Sequence, residues 1–229
     1  MIPLRDTIPS ERRPIVNYTL IGVNVFVFLI EVFAGPAQRD ILYNFGVIPF
    51  RFVKLWHSSV LELLTPLTAM FLHGGWLHII SNMLYLYIFG DNVEDTLGHG
   101  RYLAFYLLCG FISFLTQIFI NPASMVPNIG ASGAVAGVLG AYFILFPGSR
   151  VVTLVPIFFF FTMVEIPAFF FIGFWFLMQL LGGTAQLGRV NPFSGGIAFW
   201  AHIGGFLAGI LLLKLFLPRW RIRRPRYRF

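Results

Sequence analysis

The sequence predicts an all-α polytopic membrane protein, a bundle of six transmembrane helices. Three observations carry that expectation. Hydrophobic residues make up 58% of the 229-residue chain and charged residues 11%, whereas soluble domains carry about 45–50% apolar and about 25% charged residues. The 28 Phe far outnumber the 9 Asp and Glu, so polar groups are too few to cover a water-facing surface. Apolar stretches of the length a membrane helix needs, about 17–25 residues, recur along the chain, and none carries a run of charges. The composition excludes a secreted disulfide scaffold, a disordered chain and a soluble enzyme. Cys109 is the single cysteine, so neither an intrachain disulfide nor a cysteine metal site can form; it reads as packing.

Residues 1–16 alternate basic, acidic and polar, with no small-residue cleavage site after the first apolar run, and read as a cytoplasmic tail rather than a removable signal. The first span is expected over residues 18–34. A connection at 35–71 follows, long for a helical bundle and therefore a candidate for function or mobility. The second span covers 76–90 and leads into a polar turn with Asp91, Glu94, Asp95 and Gly98. The third covers 102–120 and the fourth 131–147. The stretch 151–181 has 31 residues, too many for one straight crossing and too few for two. Proline suits the first turn of a helix and an acid just before it favours the positive helix end. Glu165 and Pro167 therefore place the fifth span at 167–183, leaving 151–164, with its Phe158–Phe161 run, in the membrane interface. Glu165 becomes interfacial, the alternative being a functional acid at mid-membrane. The sixth span covers 198–217, which bounds a core at 17–217 and a basic cytoplasmic tail at 218–229.

Lys and Arg gather on the cytoplasmic side of membrane proteins. An even number of spans puts both termini together. Only Arg39, Arg51, Lys54 and Arg189 of the 16 basic residues fall on the opposite side, so both termini are expected in the cytoplasm. The net charge of +7 is thus an orientation signal rather than a nucleic-acid footprint. Six of the basic residues lie in the last eleven positions, a juxtamembrane anchor for anionic lipid of the bilayer.

Polar groups inside spans are costly and tend to be functional. Four stand out: His78 and Asn82 on span two, Ser132 on span four and His202 on span six. Singly, each has an ordinary role available, a hydrogen bond between helices or a satisfied packing residue. Together they share a depth. All three spans descend from the outer side, and each residue falls in the first two turns, within about 10 Å of that surface at 1.5 Å rise per residue. His78 and Asn82 are i and i+4 on one face. Ser132, Ala136 and Gly140 form a small-residue stripe on span four, with Gly133 and Gly137 beside it, and Ala201, Gly205 and Gly209 form another on span six, bordered by His202. Such stripes let backbones approach closely in lipid, which brings Ser132 and His202 within reach. Serine beside histidine is the minimal activated hydroxyl nucleophile. No acid lies at matching depth to orient His202, so a dyad is expected rather than a triad. Donors for an oxyanion are the Ser132 backbone N–H, the Asn82 amide and a His78 ring nitrogen.

Three motifs occur in order: His73-Gly74-Gly75-Trp76-Leu77-His78-Ile79-Ile80-Ser81-Asn82, then Gly130-Ala131-Ser132-Gly133, then Ala201-His202-Ile203-Gly204-Gly205 with Gly209 beyond. In this they resemble the rhomboid family of intramembrane serine proteases, over the whole six-span core. The resemblance implies a Ser132 nucleophile, a His202 base, and an oxyanion hole of His78, Asn82 and the Ser132 amide. Gly130, Gly133, Ala136 and Gly205 pack around them. It implies transmembrane protein substrates cut near the outer end at small, helix-breaking residues, with no metal or cofactor, and it makes span five, rich in Phe and Trp, a lateral gate. Apart from the resemblance, the compact layout and the absence of a transit-peptide pattern make a bacterial or archaeal plasma membrane the expected location. Two departures matter. Leu64 and Thr65 stand where many members have Trp-Arg in the first outer loop, so that loop is held some other way. Ala136 stands where many place an aromatic ring on the histidine, and Phe199 or Trp200 is the expected replacement. His57 and His73 read as loop or water-facing residues, with support of the oxyanion site a lesser reading of His73, and His99 reads as chemically idle. The competing classes are an inactive rhomboid-like protein that binds client helices, and a small transporter, for which the inverted repeats that transporters show are missing.

Overall fold

The computed structural model describes residues 1–157, 160–187 and 196–218. Phe158 and Phe159, Arg189 and the basic tail from Arg219 onward lie outside the described residues. Nine α-helices, two 3-10 turns and three strands are found among those described. The six expected spans are all helical: α1 (Ile15–Phe33), α5 (Trp76–Leu97), α6 (His99–Ile120), α7 (Ser132–Leu145), α8 (Ala168–Gln186) and α9 (Phe199–Phe216). α1, α6, α8 and α9 are each long and apolar enough to cross a membrane. α5 reaches that standard together with the helical segment before it, Val60–Phe71, to which it is bent by 79°.

α7 is different. Its 14 residues span about 21 Å at 1.5 Å per residue, roughly 9 Å short of a hydrocarbon core. Every residue from Gly133 through Tyr142 is buried. A helix apolar on all sides belongs in the centre of a bundle, and here that character comes from Gly and Ala. A Cβ on Gly205 or Gly209 of α9 would run into the backbone oxygen of Gly133 or Gly137 of α7. The two helices therefore touch backbone to backbone, the close approach that small stripes allow. Cys109 of α6 packs against Gly137 on another side and is fully buried.

The polar turn expected after span two is instead helix. α5 runs on to Leu97, and Gly98 ends it at φ 83°, which favours glycine. The reason lies in α1, whose first turn has no capping side chain of its own. The buried Glu94 carboxylate accepts hydrogen bonds from the N–H groups of Val16 and Asn17 at 3.0 and 2.7 Å, and is also paired with His99. Helix N-termini leave N–H groups unpaired and favour negative charge. Asn17 then donates to the Leu86 carbonyl at 2.9 Å and accepts from the Tyr102 hydroxyl at 2.8 Å.

The expectation for residues 151–164 is a place at the membrane interface, and the structure supplies their local form. The described residues among them belong to two strands, β2 (Arg150–Ile157) and β3 (Phe160–Pro167), paired antiparallel from Arg150 opposite Pro167 to Ile157 opposite Phe160. The run Val151-Val152-Thr153-Leu154-Val155 is rich in the β-branched residues that fit a pleated surface. The N-terminal tail supplies the third strand, β1 (Ile2–Asp6), which pairs with β2 only as far as Leu154. Pro156 lies beyond that limit, where its missing N–H costs no ladder bond. Asp6 ties the sheet to the bundle. Its Oδ2 accepts from Asn92 Nδ2 at 2.9 Å and from the Tyr142 hydroxyl at 2.5 Å, and burial pushes its carboxyl above the ordinary value. Glu165 is an exposed residue of β3, 3.9 Å from Arg150.

The connection at 35–71 is mostly helical, with α2 (Gln38–Phe45), α3 (Pro49–Leu55) and α4 (Val60–Thr68) between its turns. In place of the Trp-Arg pair, Arg51 Nε lies 2.6 Å from the buried Glu62 carboxylate. The same guanidinium donates to the carbonyls of Tyr43 at 2.6 Å and Gly46 at 3.2 Å. Val47 and Asn128 exchange backbone hydrogen bonds at 3.1 and 2.7 Å, which fastens the loop to the segment leading into α7.

Candidate active site

α7 begins at Ser132, so the serine stands at a helix N-terminus where the first N–H groups have no intrahelical acceptor. The approach to it is built on Gly130, which has φ 118° and donates its N–H to the Ala69 carbonyl at 2.8 Å. Any side chain there would be strained. It would also block the site, since a Cβ on Gly130 would lie 2.6 Å from His78 Nε2 and 3.7 Å from Asn82 Nδ2. The two α5 side chains thus converge on the residues just before Ser132.

Ser132 Oγ lies 2.8 Å from His202 Nε2. The histidine comes from the first turn of α9, and the backbone contact of Gly133 with Gly205, one residue past the serine and three past the histidine, holds the pair at that separation. Ala136 is fully buried below them. The other ring nitrogen, His202 Nδ1, lies 2.8 Å from Gln179 Oε1 of α8. The aromatic support of the ring is Trp175, also on α8, with ring centroids 6.0 Å apart and planes inclined by 33°. Phe199 and Trp200, the residues expected in that role, are used elsewhere. Phe199 packs on Gly182, and Trp200 Nε1 donates to the Gly183 carbonyl at 3.2 Å.

His73 lies on the connection between α4 and α5, as expected, but does not face water. It is fully buried, and its Nε2 lies 3.1 Å from Asn82 Nδ2. An amide nitrogen only donates, so His73 accepts one Asn82 hydrogen and leaves the second for the site. The His73 backbone N–H donates to both oxygens of Glu31, at 3.2 Å each, and Glu31 is itself fully buried on α1. The Gly74 N–H approaches His78 Nδ1 at 3.5 Å. That contact places the His78 proton on Nε2, the nitrogen beside Gly130. His57 is exposed on the loop.

The structure thus brings Ser132 and His202 into hydrogen-bond contact and sets His78 and Asn82 against Gly130. Gln179, Trp175, Glu31 and the buried role of His73 are not singled out by the sequence motifs. Gln179 and Glu31 do carry a signal, because each is a polar residue inside a span, the same criterion that marks the other four.

A family model described as Rhomboid domain matches residues 60–219. The chain is 32% identical over 130 residues to the rhomboid protease GluP of Bacillus subtilis (strain 168), covering 56% of this chain and 24% of that protein. It is 26% identical over 200 residues to the mitochondrial rhomboid protein 1 of Saccharomyces cerevisiae (strain ATCC 204508 / S288c), covering 85% of this chain and 51% of the relative. It is 31% identical over 223 residues to the mitochondrial RHOMBOID-like protein 6 of Arabidopsis thaliana, covering 85% of this chain and 66% of the relative. The chain therefore spans about a quarter to two thirds of the length of these relatives.

Proposed function

The chain belongs to the rhomboid family, and we propose that it is an intramembrane serine endopeptidase that cleaves transmembrane helices through Ser132 and His202. It is an integral, multi-pass membrane protein with an intramembrane protease or rhomboid-like function. The observation that carries the finer reading is the 2.8 Å contact between Ser132 Oγ and His202 Nε2, at a helix N-terminus and beside two side-chain donors.

The chemistry follows from that arrangement. Ser132 Oγ attacks the scissile carbonyl carbon while its proton passes to His202 Nε2. The carbonyl oxygen, now an oxyanion, receives hydrogen bonds from the Ser132 N–H, His78 Nε2–H and the free Asn82 N–H. Such donors strengthen as charge develops, and each one is worth about 10²–10³ in kcat. The tetrahedral intermediate collapses, the peptide C–N bond breaks, and the leaving amine takes the proton from His202. A water then gives its proton to His202 and attacks the acyl ester, and the proton returns to Ser132 as the ester bond breaks. Substrates are helices with small, helix-breaking residues near their outer end, because an intact helix buries its carbonyls in its own hydrogen bonds. The distribution of Lys and Arg puts both termini of this chain in the cytoplasm and Ser132 near the opposite face.

A fluorophosphonate probe tests the nucleophile without a known substrate. Wild type should label and Ser132→Ala should not; equal labelling of the two would sink the assignment.

A further inference from the structure

Gln179 is the one polar side chain of α8 that is buried, and it sits between two partners with opposite demands. Its Nε2 donates to the Trp175 carbonyl at 3.1 Å, and its Oε1 lies 2.8 Å from His202 Nδ1. A backbone carbonyl can only accept, so the Trp175 contact fixes which end of the amide is nitrogen. Oε1 therefore faces the histidine, and an amide oxygen also can only accept. The hydrogen between Gln179 and His202 must come from Nδ1. In a neutral imidazole the other nitrogen is then unprotonated, so Nε2 has the lone pair that receives the Ser132 hydrogen across 2.8 Å. Each link leaves one choice for the next: Trp175 carbonyl, Gln179 amide, His202 tautomer, Ser132 hydroxyl.

We propose that Gln179 is the positioning residue of the site, holding His202 in the Nδ1–H tautomer through a neutral amide where other serine hydrolases use a carboxylate. This deepens the reading of Ser132 and His202 as nucleophile and base, and rests on it. Gln179 belongs to neither helix of the dyad. It arrives on α8, which docks on α9 by the stack of Phe176 on Phe206, at 4.3 Å between centroids, and by the Trp200 bond to Gly183. The remainder of α8 is largely open, with Phe169, Phe170, Phe174, Leu177, Met178 and Leu181 exposed. A displacement of α8 away from α9 removes the Nδ1 acceptor, so the base is set only while α8 is seated.

The test uses wild type, Gln179→Met, which keeps the volume without an acceptor, and Gln179→Glu, which keeps one, all in proteoliposomes with a model transmembrane substrate. Gln179→Met should lower kcat by about 100-fold, the low end of what a positioned general base supplies, with KM unchanged. Gln179→Glu should restore most of the loss. In parallel, ¹⁵N NMR of histidine-labelled protein, with the His202 signal identified by its loss in His202→Ala, should show Nδ1–H in wild type and a mixture of tautomers in Gln179→Met. A wild-type ring protonated on Nε2, or a Met variant with both tautomer and kcat intact, would overturn the proposal. An NMR result as expected in a protein that does not cleave would leave the positioning role standing and remove the protease reading instead.

Discussion

Gly205 packs against the backbone oxygen of Gly133, and a single added methyl at that point cannot be accommodated without moving α9 away from α7. The contact falls three residues from His202 and one from Ser132, so the spacing of the helices and that of the dyad are one quantity. Gly205→Ala is expected to cost about 1–3 kcal/mol in stability, as overpacking does, and to lower cleavage at least tenfold by lengthening the 2.8 Å contact. Gly22→Ala on α1, where a Cβ meets nothing within 4 Å, should leave both unchanged. Thermal unfolding in detergent and cleavage at matched protein level measure the two effects.

Two aromatic residues of α8 should separate access from support. Phe171 stacks on Phe89 at 6.3 Å and leans on Tyr85 at the same distance, so it seals α8 against α5. Trp175 lies over His202. If a substrate helix passes between α5 and α8, Phe171→Ala should raise the rate on a transmembrane substrate. Trp175→Ala should lower it, because the ring loses its neighbour, even though both substitutions shrink the same helix. Initial rates at equal expression decide; a rise with Trp175→Ala would mean that the indole obstructs access more than it supports the histidine.

Asn82→Ala should lower kcat by about 10²–10³-fold, the usual consequence of removing one oxyanion donor, and His78→Ala should fall in the same range. His73→Ala should cost less, because His73 acts through Asn82, by consuming one of its two amide hydrogens. A His73→Ala, Asn82→Ala double variant should then be no slower than Asn82→Ala alone. Additive losses would assign His73 a separate role.

The outer loop is held by Arg51 and Glu62, at 2.6 Å. Arg51→Ala strands a buried carboxylate, and Glu62→Ala removes it along with its N-terminal charge on α4. Arg51→Ala should therefore be the more destabilising of the two, by about 1–3 kcal/mol, and should speed proteolytic nicking between α2 and α4. Limited proteolysis with mass mapping reads this directly; equal protection of both variants would show that the loop is held instead by its backbone bonds, from Phe50 N–H to the Ser124 carbonyl at 3.0 Å and between Val47 and Asn128.

How far the fold is legible in the sequence follows from where each signal sits. Ser132, His78, Asn82 and His202 are polar interruptions of apolar helices, and the Gly and Ala stripes announce which faces meet, so the core of the site can be read from residue types and spacing alone. Glu94 cannot. A carboxylate that caps another helix 77 residues away looks locally like part of a solvated turn. His73 stands between spans, where a water-facing position is the ordinary expectation, but the break in the Val60–Leu97 pair turns inward and buries it. Gln179 is hidden by its neighbours, because a helix full of Phe and Trp advertises the lipid it faces rather than its one inward polar residue. The strands β2 and β3 have an apolar length that resembles part of a membrane crossing, although their β-branched content points to sheet.

The most direct measurement of the central claim is cleavage of a model transmembrane helix by purified protein in liposomes, comparing wild type with Ser132→Ala and with His202→Ala. Wild type should cut once near the outer end of the substrate, and each variant should be at least 10⁴-fold slower or inactive, since the two residues act as one unit. Cleavage that survives both substitutions at the wild-type rate would contradict the account.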